Sequence, residues 1–260
     1  MSSSSIRVDR QAGVARVTLG RPEVRNAFNA EVIAELHAAF EQIGRDEGVY
    51  AVVLAGDGKV FCGGADVNWM RASLDLPHDR NVEDARAMSE MFRAIDRCPK
   101  PTVARIQGAA LGGGAGLAAV CDVVVASDDA LFGFTETKLG IIPAVISPFV
   151  LAKIGPSHAR ALFLTGERFD ALRAHAIGLV HQVVAADALD SAVDRILGEL
   201  RTAGPQAVAA AKRLIADVGA LSYDETRDHT AHAIAKQRTG AEGQEGLRAF
   251  LERRSAGWSK

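Results

Sequence analysis

The chain has 260 residues, 48% of them apolar, and a formal net charge of -2 from 30 basic and 32 acidic side chains. That length and apolar content suit one large domain, or a large one with a small companion. The near-neutral balance argues against nucleic acid or an anionic membrane as the main partner, and no apolar run approaches bilayer-spanning length. Three cysteines, Cys62, Cys98 and Cys121, have no CxxC spacing, which speaks against a disulfide framework or a zinc site. A reducing, cytoplasmic setting is expected, since MSSSSIRVDR at the start holds no apolar h-region.

Taken in order, residues 6–8 and 14–19 alternate like paired strands, with Gly13 in the turn between them. Gly20 and Pro22 break the second strand, and Asn29 is a fitting helix N-cap. Val32, Ile33, Leu36, Phe40 and Ile43 recur at helical spacing over 30–45. Residues 50–55 are continuously apolar, the mark of a strand buried on both faces. The next stretch reads as loop through FCGGAD (61–66) and beyond, with polar 75–82 as a mobile loop, and a helix follows over 82–97. Strands are predicted at 102–106 and 122–126. Pro143 and Pro148 break the stretch after 132 into short pieces. Helices then dominate: 156–164, 171–177, 188–201, 205–218, 223–238 and 242–253. Strands alternating with helices, then a helical tail, indicate an α/β fold with a parallel-sheet core and a helical appendage.

Between the strand at 102–106 and the one at 122–126 lies QGAALGGGAGL (107–117). Three glycines at the mouth of a helix leave backbone N–H groups unshielded where unpaired donors and the positive end of the helix dipole meet. Such a place holds an anion or a developing oxyanion, or else lets two backbones touch. The stretch is not GxGxxG, because position 117 is Leu117, and no P-loop, GxSxG or HExxH is present. His229 and His232, three apart, are read as solvated surface, so no metal is expected.

Two glycine-rich loops, each after a buried strand, together with RPEVRNAFN (21–29) and FGFTETKLGIIP (132–143), resemble the crotonase (enoyl-CoA hydratase/isomerase) family. The tail AEGQEGLRAFLERR (241–254) resembles that family's C-terminal signature. The resemblance implies a spiral of repeated ββα units over 1–200, with the CoA and catalytic sites, and a helical oligomerisation region over 201–260. It implies a homotrimer or dimer of trimers, an acyl-CoA substrate, and no cofactor, coenzyme A being part of the substrate. Ala65 and Gly113 are implied as the two backbone donors of an oxyanion hole for the thioester carbonyl. Arg25, Ala27, Lys59, Gly63, Asp66 and Val67 are implied in holding CoA, and Arg253 in reaching CoA on a neighbouring subunit.

Hydratases of this family use two glutamates. The first place is Gly116 here and the second is Glu136. One carboxylate is therefore left to serve as base and acid, for which apolar surroundings that raise its pKa are suited. Phe132, Phe134, Leu139, Ile141 and Ile142 around it fit that need. ETKLGIIPAVISPFV (136–150) and the tail resemble the hydratases of 3-methylglutaconyl-CoA and related glutaconyl-CoA thioesters. Their substrates carry a distal carboxylate, for which Lys138 is a candidate anchor, with Gly116 beside the acyl chain. The expected activity is reversible hydration of a short branched 2-enoyl-CoA. The alternatives are a double-bond isomerase using Glu136 alone and a non-catalytic CoA-binding member.

Overall fold

In the computed structural model, which describes residues 4–259, β1 (Ile6–Gln11) and β2 (Val14–Leu19) form an antiparallel hairpin pairing Ile6 with Leu19 and Gln11 with Val14. β2 then pairs in parallel with β3 (Ala51–Gly56), β3 with β4 (Thr102–Ile106), β4 with β6 (Val123–Ser127) and β6 with β9 (Gln182–Val184). The six-stranded order is β1-β2-β3-β4-β6-β9. β3 is buried at every position, as its unbroken apolar run requires of a central parallel strand. A second sheet contains β5 (Ala109–Leu111), β7 (Leu131–Gly133) and β8 (Arg168–Asp170).

The two sheets are fed alternately. β4 enters the large sheet, β5 the small one, and α4 (Gly113–Val120) follows; β6, β7 and α5 (Ser147–Thr165) repeat the pattern. This is the expected ββα spiral. Upstream, α1 (Ala30–Arg45) buries Val32, Ile33, Leu36, Phe40 and Ile43, the stripe its periodicity predicts. Its first turn is closed by Asn29, whose side chain accepts from the Val32 amide at 2.9 Å. The core lies between these helices and the sheets, with six fully buried phenylalanines, Phe28 and Phe92 among them.

Three readings are corrected. The stretch after FCGGAD is helical: α2 (Val67–Ser73) is capped by the Asp66 side chain, and α3 (His78–Asp96) begins inside the segment predicted to be a mobile loop. Polar composition misleads there because α3 has an exposed face, where Arg80 pairs with Glu83 and Arg93 with Glu90. α5 starts nine residues before the predicted 156, since Pro148 occupies a first-turn position that needs no N–H, and Gly155 carries the kink before Pro156. The three-residue strands are too short to show a period.

After α6 (Ala171–Ala176) and α7 (Leu189–Thr202) the tail forms α8 (Pro205–Ala220), α9 (Tyr223–Thr239) and α10 (Ala241–Leu251). α8 is tied to the body by Lys212, which pairs with Asp122 at 2.7 Å; Asp122 also accepts from the Thr102 amide. No residue of α8 or α9 is buried. Among the described residues no helix is long and apolar enough to cross a membrane.

Candidate active site

The RPEVRNAFN segment is a tie between strands and loops. Asn26 is buried with φ 54; its side-chain amide donates to the carbonyls of Asp57 and Val60, and its oxygen accepts from the Arg21 amide. Arg21 reaches across to the Ala27 carbonyl and, at 2.8 Å, to the Asp66 carboxylate. Phe28 then runs beside the first glycine loop. Its amide donates to the Gly64 carbonyl, and its carbonyl accepts from the Asp66 amide, both at 2.7 Å. These bonds flank Ala65 and turn its own amide away from Phe28, as alternation along an extended strand dictates.

The second glycine loop is laced to the first by three backbone bonds: Phe61 to Gln107, Cys62 to Ala109, and Leu111 to Cys62, each 3.0 Å. Gly64 (φ 100) and Gly112 (φ 52) take conformations that disfavour any side chain, and each lies against the other loop. A Cβ at Gly113 would stand 2.5 Å from the Phe28 ring. Phe28 therefore fixes both loops, one through its backbone and one through its ring. Among the described residues, the amides of Ala65 and Gly113 have no hydrogen-bond acceptor; Gly113 opens α4, where the helix dipole is positive.

Ala65 and Gly113 line one cavity of about 410 Å³. Glu136 lines it too, at the start of the short 3-10 turn Glu136–Leu139. Its Oε2 is buried without a hydrogen-bond partner, and its Oε1 lies 3.3 Å from where a Cβ on Gly112 would be. Burial pushes its pKa up, and a bond to its own backbone amide opposes this only in part. The rest of the wall is largely apolar, with Trp69, Met88, Ile142 and Ile146. Two unspent donors facing the same space as a carboxyl poised to exchange a proton can polarise a carbonyl and move a proton beside it.

The predicted residues divide. Ala65, Gly113, Glu136 and Gly63 line the cavity. Gly116 does not: it is buried in α4, and the space a side chain would take there belongs to Ile146 and Phe92. Lys138 is exposed and folds over Gly166, outside the lining. Asp66 is engaged on every side: its amide donates to Phe28, its carbonyl accepts from Met70, and its carboxylate accepts from Asn68 and Arg21. Burial alone would push the Asp66 pKa up, but those donors outweigh it and hold it below the usual carboxylate range. Ala27 is buried with amide and carbonyl both bonded internally. Arg25 and Lys59 are exposed on turns next to the glycine loops, Val67 is exposed at the first position of α2, and Arg253 is exposed past the end of α10. Asp84, on α3, lines the cavity and was not singled out from sequence. Its signal was there: positions 81, 84, 88 and 92 form one helical stripe that is apolar at one end and polar at the other.

A family model for enoyl-CoA hydratase/isomerase matches residues 9–260. The chain belongs to the enoyl-CoA hydratase/isomerase family. Its activity is of that family's type, and an acyl-CoA substrate is consistent with it. It is 36% identical to enoyl-CoA hydratase ACTT6 of Alternaria alternata, covering 93% of this chain and 79% of that one. Among solved structures it is similar to an enoyl-CoA hydratase from Shewanella pealeana, with a TM-score of 0.94 at 38% identity over 98% and 96% of the two chains. AtuE of Pseudomonas aeruginosa superposes with a TM-score of 0.96 at 38% identity, over 98% of this chain and 100% of that one. The hydratase/isomerase family name thus agrees with a cavity whose free amides and carboxyl are able to polarise a carbonyl and move a proton.

Proposed function

We propose that this chain is a hydro-lyase that adds water reversibly across the double bond of a short 2-enoyl-CoA thioester. The thioester oxygen takes hydrogen bonds from the amides of Ala65 and Gly113, which stabilise the charge developing there as water adds; losing one such donor costs about 10²–10³ in rate. Glu136 takes a proton from the water as its oxygen bonds to C3, and the resulting acid delivers a proton to C2. The observation that carries this reading is the buried, unpartnered oxygen of Glu136 in the same apolar cavity as the two free amides. Arg25 and Lys59 take the CoA phosphates. Arg253 does so for a neighbouring subunit of a trimer or dimer of trimers, with 1–200 as the body and 201–260 as the assembly region.

The sequence resemblance supports 3-methylglutaconyl-CoA as the acyl chain. The cavity weighs towards an uncharged one, because its described lining includes Glu136 and Asp84 and neither lysine nor arginine. A further carboxylate there would be desolvated among like charges. A second reaction is favoured by one observation: Ile146 and Phe92 fill the space at Gly116, so α4 offers no second carboxylate. Glu136 alone could then carry a proton between C2 and C4.

With crotonyl-CoA, loss of the enoyl-thioester absorbance is expected, and Glu136→Gln should slow it by about 10²–10⁴-fold, the usual worth of a general acid–base. Retained absorbance with deuterium exchange at C2 or C4 would assign isomerisation instead. Binding of CoA thioesters without either reaction would leave a non-catalytic member.

A further inference from the structure

We propose that Asp84 is a specificity-determining residue that disfavours acyl chains carrying their own carboxylate. The proposal rests on the acyl-thioester reading of the cavity and concerns which chains enter it. α3 runs along the cavity with Asn81, Asp84, Ala85 and Met88 in the wall. Further along the same stripe, Phe92 packs over Gly116 of α4. Asp84 stands two turns earlier, about 12 Å along the helix at 1.5 Å per residue. It therefore belongs to the wall formed by α2 and α3, with Trp69 beside it.

Three features give Asp84 this role. It is half-buried, so water screens it only in part. Among the described residues it has no hydrogen bond and no ion pair, although its helix neighbours Glu83 and Glu90 are each held by an arginine. The cavity's described lining contains no cation to offset it, and the other carboxyl there is Glu136. Its charge is thus unspent and its field reaches the cavity. A negative group on an entering acyl chain meets repulsion with no compensating partner, whichever carbon bears it, whereas a neutral chain of the same length does not. Discrimination by a repulsive element of this kind needs no direct contact. Trp69 and Asp84 also line a second cavity of about 290 Å³, so Asp84 is shared between two spaces.

The test uses saturated thioesters, which cannot be hydrated. Isothermal titration of the full-length protein with butyryl-CoA and glutaryl-CoA compares chains that differ mainly in a terminal carboxylate. The unsubstituted protein is expected to bind glutaryl-CoA at least about tenfold more weakly than butyryl-CoA, and Asp84→Asn should narrow that ratio by about fivefold or more. Asp84→Glu, which keeps the charge, should keep the wide ratio. An unchanged ratio in Asp84→Asn, or glutaryl-CoA bound as tightly as butyryl-CoA by the unsubstituted protein, would overturn the role of Asp84. Because neither ligand turns over, a failure to hydrate crotonyl-CoA would sink the hydratase reading without touching this result. Binding of neither thioester would overturn both.

Discussion

Glu136, in the cavity wall, and Asp66, at the cap of α2, are both carboxylates, and their surroundings send them opposite ways. Asp66 caps α2 and pairs with Arg21, so it is held ionised as a structural element. Glu136 is half-buried with one buried oxygen unpartnered, so its ionised form is disfavoured and its proton is exchangeable nearer neutrality. The consequence for stability has a definite sign. A carboxyl whose folded pKa is raised destabilises the fold above that pKa, and the cost disappears once both folded and unfolded states are protonated. Glu136→Gln should therefore raise Tm at pH 7–8 while slowing turnover, and the gain should shrink as pH falls through the raised pKa and be gone below about pH 4, the region of the unperturbed glutamate pKa. Thermal melts across pH check this; a gain that grew as pH fell would contradict the raised pKa. The acidic limb of kcat/KM should likewise lie above the ordinary glutamate range and vanish with the variant.

At the scale of elements, the packing of α4 against α5 and α3 explains why position 116 is glycine. Any Cβ there would collide with Ile146 Cγ2 and come within 3.0 Å of Phe92. Gly116→Ala should cost about 1–3 kcal/mol, the usual range for overpacking a core. Ile146→Ala, which removes the colliding methyl, should recover part of that loss in the double variant. Urea denaturation of the single and double variants measures the coupling; strictly additive losses would show that the two side chains do not compete for one space. The same reasoning places the loops. They are bound to each other and to Phe28 by backbone bonds, so the two amides are positioned by main-chain geometry and not by flexible side chains.

At the scale of the whole molecule, the tail is the least self-sufficient part. α8 and α9 have no fully buried residue, and Ile215, Phe250 and Leu251 are each more than three-quarters exposed. Large apolar side chains in that state mark a surface made to be covered. If copies of this chain cover it, Phe250→Asp combined with Leu251→Asp should shift the sedimenting species from the trimer or hexamer towards the monomer, with a lower Tm, because assembly and folding are linked. An unsubstituted protein that sediments as a monomer would remove the proposal.

Much of the fold was legible from periodicity. The stripe of α1, the unbroken run of β3 and the helical tail are each recorded in neighbouring residues, where local spacing is enough. The candidate donors and Glu136 were legible because their motifs keep residue type and order along the chain. What spacing could not carry was the outcome of contacts between distant segments. Lys138 lies two positions from Glu136 yet rests on Gly166, because the 3-10 turn sends neighbouring side chains in different directions. Asp66 is locked in an ion pair because Arg21, 45 positions earlier, arrives beside it. Asp84 entered the cavity because α3 lies across it, and Gly116 was closed off by Ile146, the residue that caps α5. One-dimensional order determines which elements form and which chemistry is on offer. Which side chains meet is decided only when close packing brings residues far apart in sequence into the same few cubic ångströms.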